Sequence, residues 1–118
     1  MYRENRRKTG AVYEEQAARY LGERGVQILC RNYRTRHGEI DLVGLDGPYL
    51  VFVEVKYRST DRMGSPFEAV DYRKRQKLFS MARQYLYENR YREDAPVRFD
   101  CVGITPKGTE WIRDAFRA

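Results

Sequence analysis

The chain has 118 residues, of which 42% are hydrophobic and 14% aromatic, and it carries a formal net charge of +6 with a pI of about 9.5. That length suits one compact domain with one core, and the composition excludes a disordered chain. No apolar run approaches the ~20 residues of a membrane-spanning helix, and the basic excess suits a polyanionic partner, nucleic acid first, and equally a merely soluble basic protein.

Residues 1–8 include Arg3, Arg6, Arg7 and Lys8 and read as a flexible basic arm ahead of a single domain over residues 9–118. The arm has charge but no apolar segment, so it is not a secretory signal. Thr9 is placed to cap a helix from about Gly10 to Glu23, ended by Gly25. Its inward stripe is Val12 or Tyr13, Ala17, Ala18 and Leu21. Glu14 sits at the edge of that stripe, either as a boundary acid that meets an arginine or as part of a site.

Val26 to Tyr33 alternates apolar and polar residues and predicts a first strand. A polar turn over Arg34–Gly38 leads into strands over Glu39–Leu45 and Tyr49–Tyr57, joined through Asp46, Gly47 and Pro48. A polar loop, Ser59–Ser65, precedes Ser65, Pro66 and Glu68, which fit the N-cap, N1 and N3 positions of a helix. That helix, with a break near Asp71, runs to about Asn89 on a stripe of Leu78, Met81, Ala82, Tyr85 and Leu86. A fourth strand covers Val97–Ile104, and Glu110–Phe116 has no assigned type. The order α-β-β-β-α-β makes this an α/β protein. Cys30 and Cys101 have neither CxxC nor metal-site spacing, which points to reduced thiols and a cytoplasmic home. With a single His they do not suit a structural zinc site.

The central strands are the anomaly. Charged side chains in a sheet core cost free energy unless paired or bound to something. Glu39 and Asp41 interrupt the second strand, and Glu54 and Lys56 the third. A two-residue loop at Asp46-Gly47 sets Glu39 opposite Glu54; one at Gly47-Pro48 sets Asp41 opposite Glu54. Strict alternation puts all four charges on one face in either case. Two carboxylates ~5 Å apart at an effective dielectric of ~20 repel by ~3 kcal/mol, a strain that Mg²⁺ or Mn²⁺ on oxygen ligands relieves. A metal held by acids beside basic rims suits phosphodiester hydrolysis. The plainer reading of Glu54-x-Lys56 is an exposed salt bridge on an amphipathic strand. The basic clusters Arg31, Arg34, Arg36 and His37, then Lys56, Arg58 and Arg62, then Arg73, Lys74, Arg75 and Lys77 flank these strands in sequence. Among them Arg36, Arg58, Lys74, Arg75 and Lys77 are the candidate nucleic-acid contacts.

Asp41 and Glu54-Val55-Lys56 together resemble the PD-(D/E)xK nuclease pattern, although Ile40, not Pro, precedes the first acid. More narrowly, "GEIDLV", "VFVEVKYRS", "KRQKL", "RFDCV" and "EWIRDAF" resemble the YraN-like bacterial family over nearly the whole chain from about Thr9. That resemblance implies a restriction-endonuclease-like core similar to archaeal Holliday junction resolvases: a mixed sheet of four or five strands flanked by helices. It implies Asp41 and Glu54 as metal ligands, Lys56 as the catalytic lysine, Glu14 and Glu39 as further acids near a Mg²⁺ or Mn²⁺ ion, and Lys74 as a helix lysine within reach of phosphate. The implied function is a metal-dependent nuclease on structured or branched DNA, and cutting both strands of a junction favours a homodimer. The alternative is a non-catalytic nucleic-acid-binding module in which tyrosines such as Tyr33, Tyr57 and Tyr72 stack on bases.

Overall fold

The computed structural model describes residues 2–59 and 72–117. Its elements are α1 (Tyr2–Glu23), β1 (Gln27–Thr35), β2 (Gly38–Asp46), β3 (Tyr49–Tyr57), α2 (Tyr72–Glu88), β4 (Val97–Thr105) and β5 (Gly108–Ile112). The strands form one mixed sheet in the order β1-β2-β3-β4-β5, with β3 and β4 parallel and every other neighbouring pair antiparallel. The parallel pair needs a crossover, and α2 lies on it. The expected α/β architecture, a sheet of up to five strands flanked by helices, is therefore present.

Each helix packs its own layer. Ala17, Ala18 and Leu21 of α1 meet Val26, Leu42, Val51, Val53, Val102 and Ile104 on one face of the sheet. On the other face Leu78, Met81, Ala82, Tyr85 and Leu86 of α2 meet Ile40, Val43, Leu50, Phe52 and Phe99. The buried residues of α2 are the five of the expected stripe, spaced so that they share one side of a helix.

Local chemistry sets the ends of α1 and the central hairpin. Gly25, at φ 96°, takes the left-handed position after α1. Val26 N–H donates to the Leu21 carbonyl at 3.0 Å and Gly25 N–H to that of Gly22 at 3.1 Å. This is the Schellman pairing, completed by packing of Val26 near Leu21. Asp46 pairs with Tyr49, so the β2–β3 turn is Gly47-Pro48. Gly47, at φ 59°, supplies the positive first position of a two-residue hairpin loop.

Three expectations change. The helix α1 begins at Tyr2, so it takes in residues 2–8, and Thr9 lies within it and not at its start. The unassigned terminal segment contributes β5, whose Trp111 pairs with Val102. The loop beyond Ser59, Arg62, the helix start at Ser65, Pro66 and Glu68, and the break near Asp71 lie outside the described residues.

Candidate active site

Two irregularities in β1 prepare the site. The β1–β2 register shifts between Ile28 and Cys30. Four residues on, Asn32 sits at φ 55°, in the left-handed region that Asn tolerates better than most residues. Beyond it, Tyr33 pairs with Ile40, whereas before it Arg31 pairs with Leu42. Cys30 and Val43, then Tyr33 and Ile40, all pack on the α2 side, although each strand moves three residues between them. Strict alternation would have reversed the face, so the pleat breaks opposite Asn32, at Asp41.

The break corrects the expectation of four charges on one face. Val53, Val55 and Tyr57 pack on the α1 side. Glu54 and Lys56 alternate with them and point toward α2, where Lys74 Nζ lies 2.6 Å and Lys56 Nζ 3.4 Å from Glu54 Oε1. Glu39 joins Glu14 of α1 instead. One carboxylate oxygen from each of Glu14, Glu39 and Asp41 lies within 4.8 Å of the others. Glu14 and Glu39 line a cavity of about 410 Å³ with Gly10, Ala11, Asn32 and Arg34.

Asp41 stands between the two groups. The β2–β3 pairing stops at Leu42 and Val53, and the next N–H of β3 on that edge, Val55, donates to Asp41 Oδ2 at 2.8 Å. The side chain thus takes over where the backbone ladder ends. Burial, then the Glu54 carboxylate, push the Asp41 carboxyl up to about 7, with Glu14 and Glu39 adding to the rise and the Val55 N–H opposing it. Burial also raises Glu14, against hydrogen bonds with Asn32 and Asp41. Three crowded carboxylates, one with its ionisation raised to about 7, are hard oxygen donors of the kind that small divalent cations take.

The cations divide accordingly. Arg34 Nε meets Glu39 Oε2 at 3.0 Å, and Arg31 pairs with Glu15, next to Glu14. Burial and the neighbouring Lys74 push the Lys56 ammonium down. Lys74 is held up, because hydrogen bonds with Glu54 and Lys56 outweigh its burial. Cys101, opposite Glu54 on β4, has its thiol pushed up to about 12 by burial and by Glu54. Arg58 extends the β3–β4 ladder by donating its N–H to Ile104. Arg36 and Lys77 are exposed, while Arg75 is half-buried with no hydrogen-bond partner for Nε among the described residues. Of the tyrosines, Tyr57 stacks on Tyr13 with centroids 3.9 Å apart, Tyr33 meets Tyr85 edge-on, and Tyr72 is exposed.

A model of the uncharacterised protein family UPF0102 matches residues 13–104. The chain belongs to this family. It is 46% identical to a UPF0102 protein of Lachnoclostridium phytofermentans over 97% of both chains. It is also 44% identical to one of Xanthomonas euvesicatoria (96% of this chain, 94% of the relative) and 38% identical to one of Legionella pneumophila (92% and 94%). The match spans Glu14, Glu39, Asp41, Glu54, Lys56 and Lys74.

Sequence reasoning passed over Asn32 in the site and Asp100 in the scaffold, and it placed Arg34 only in a basic cluster. Asn32 marks the break in the pleat, and its signal was an Asn within a strand. Arg34 lines the acidic cavity. Asp100, fully buried, accepts from Arg98 Nε and Nη2, Trp111 Nε1 and Asp114 N at 2.8–2.9 Å. The Arg98-x-Asp100 alternation on one strand was the available signal for that network.

Proposed function

We propose that this UPF0102 member is a divalent-metal-dependent nuclease of the PD-(D/E)xK type that hydrolyses phosphodiesters in structured or branched DNA. The observation that carries the reading is Asp41 at the break in β2, with Glu14 and Glu39 within 4.8 Å on one side and the Glu54-Val55-Lys56 segment on the other. An excess of positive charge across the chain supports an anionic substrate.

Glu14, Glu39 and Asp41 hold Mg²⁺ or Mn²⁺, with Glu54 as the further acid of the pattern. The ion, when bound, activates water and stabilises charge developing on phosphate. Lys56, 17% exposed at its side chain beside Glu54, orients the attacking water or contacts the scissile phosphate. Arg36, Arg58 and Lys77 hold flanking phosphates, contacts that position the substrate without reading its sequence. A second copy of the chain would supply the cut in the opposite strand of a junction.

One observation favours the non-catalytic alternative. Glu54 is already paired with two ammoniums, so the α2 side is satisfied without an ion. The two readings separate on a panel of labelled single-stranded, duplex, flap, splayed-arm and four-way-junction substrates, each with Mg²⁺, Mn²⁺ or EDTA. Cutting that needs the metal and disappears in an identically purified E54Q establishes the nuclease. Tight, salt-sensitive binding with no cutting establishes the binding module.

A further inference from the structure

The sheet divides at Asp41. Through Val53, β3 pairs with β2 on one side and with β4 on the other. From Glu54 to Tyr57 it stays with β4, while Gly38, Glu39 and Ile40 of β2 pair with Thr35, Arg34 and Tyr33 of β1. Residues 33–40 therefore leave the sheet as a two-stranded ribbon whose tip is the turn Arg36-His37. The ribbon is braced. Tyr33 meets the Tyr85 ring edge-on at 5.1 Å, and its hydroxyl donates to Glu88. Gly38, at φ 136°, lies against Met81, whose Cε is 3.8 Å from where a Cβ would stand. At the tip the His37 N–H donates to Thr35 Oγ1 at 3.0 Å. Arg36 and His37 are exposed, and Arg36 meets His37 Nε2 at 3.5 Å but no carboxylate among the described residues. The acid of the ribbon, Glu39, is held one rung back by Arg34 and lines the cavity it shares with Glu14.

We infer that this ribbon is a groove-seeking arm whose Arg36-His37 tip enters the major groove of a DNA duplex beside the bond to be cut. The inference rests on the nuclease reading above and deepens it, by giving a duplex arm of the substrate to one element of the fold. Two paired strands about 4.8 Å apart, with side chains on both, exceed a minor groove about 6 Å wide and fit a major groove about 12 Å wide. The A-form helix of RNA closes its deep, narrow major groove to side chains, so the ribbon suits a DNA duplex and not an RNA one. Charge agrees with shape, since phosphates wall the groove and the turn carries two basic residues and no acid. Arg36 keeps its phosphate contact, here on the groove wall, and His37 faces the base edges. Lys77, one turn before Met81 on the same side of α2, takes a phosphate on the rim. Because α2 braces the ribbon before any ligand arrives, docking requires little further ordering.

The test measures binding in EDTA, so its outcome does not depend on cutting. A labelled DNA duplex, the RNA duplex of the same sequence and one DNA strand alone are titrated by fluorescence anisotropy at a single salt concentration. Wild type is expected to bind the DNA duplex about tenfold more tightly than the RNA duplex. Methyl green, which occupies the major groove, should compete with the protein, and netropsin, which occupies the minor groove, should not. The double variant R36Q/H37Q should lose about tenfold on the DNA duplex and less than about twofold on the other two. Equal loss on all three, equal wild-type affinity for the two duplexes, or competition by netropsin alone overturns the inference and leaves the nuclease reading standing. A wild type that binds no nucleic acid overturns both. One that binds as expected yet cuts nothing with Mg²⁺ or Mn²⁺ supports the ribbon and removes the nuclease. Circular dichroism and melting curves check that the variant folds, and the dye competition needs no variant at all.

Discussion

Replacing Asp41 by Asn should make the metal-free protein more stable, and the gain should grow with pH. Asp41 ordinarily ionises near 3.8, and burial with Glu54 raises that to about 7. Between these values the folded chain keeps a proton that the unfolded chain has lost, so stability falls as pH rises through the interval. Each tenfold in an ionisation constant is about 1.4 kcal/mol, which sets a ceiling of about 4 kcal/mol above pH 7. Asp41 is only half-buried, and solvent and relaxation reduce the penalty to about 2 kcal/mol. Asn removes the charge and keeps an oxygen for the Val55 N–H. Unfolding entropy of about 2.1 cal/mol/K per residue then puts D41N about 8 °C above wild type at pH 8 in EDTA. The difference should vanish near pH 4. Mg²⁺ should raise the wild-type midpoint and leave D41N unmoved. Melting curves from pH 4 to 8, with and without Mg²⁺, decide it. A D41N variant equal to or less stable than wild type at pH 8 refutes the reasoning, since Asp41 would then be a favourable structural carboxylate.

The remaining predictions concern both chemistry and packing. E54Q should lower metal-dependent cleavage by at least about a hundredfold while junction affinity stays within about twofold; unchanged cleavage would remove Glu54 from the site. D100N breaks a buried pair with Arg98 and should cost about 3 kcal/mol, read as a lower denaturation midpoint with unchanged DNA affinity. G44A should cost about 1–3 kcal/mol, because an added Cβ would lie 2.8 Å from Val26 Cγ1 and 3.0 Å from the Gln27 carbonyl oxygen; a neutral chemical-denaturation result would mean that β1 yields at its irregular end.

Much of the fold was legible because its signals were local. β3 runs from Tyr49 to Tyr57 as its apolar run dictates, and the α2 stripe follows from helical spacing. The start of α1 was not legible: residues 2–9 carry no apolar period, and Thr9-Gly10 imitates a cap. β5 was missed because Glu110–Phe116 mixes acids, bases and aromatics with no period. The gathering of Glu14, Glu39 and Asp41 around the break could be anticipated only in part. Alternation assumes an unbroken pleat, and here Ile40 and Leu42 face opposite sides across Asp41, opposite the left-handed Asn32. The division of Glu39 from Glu54 therefore depends on backbone geometry that side-chain patterning does not encode.

Two aspartates in this small chain show how site and scaffold differ. Asp100 is wholly inside, yet its two oxygens receive four donors, and Arg98 continues to Asp46 at 2.7 Å. Nothing more is needed there, and an added cation would find no unused charge. Asp41 receives the Val55 N–H and faces Glu54, Glu14 and Glu39, all of which oppose its ionisation. A polar group left short of partners in a core is normally selected against through its cost of several kcal/mol. Keeping one acid in full satisfaction and another in deficit, on adjacent parts of the same sheet, is therefore informative. Asp100 is the more deeply buried of the two, so burial does not mark function. The deficit does, because only the second aspartate gains when a cation arrives.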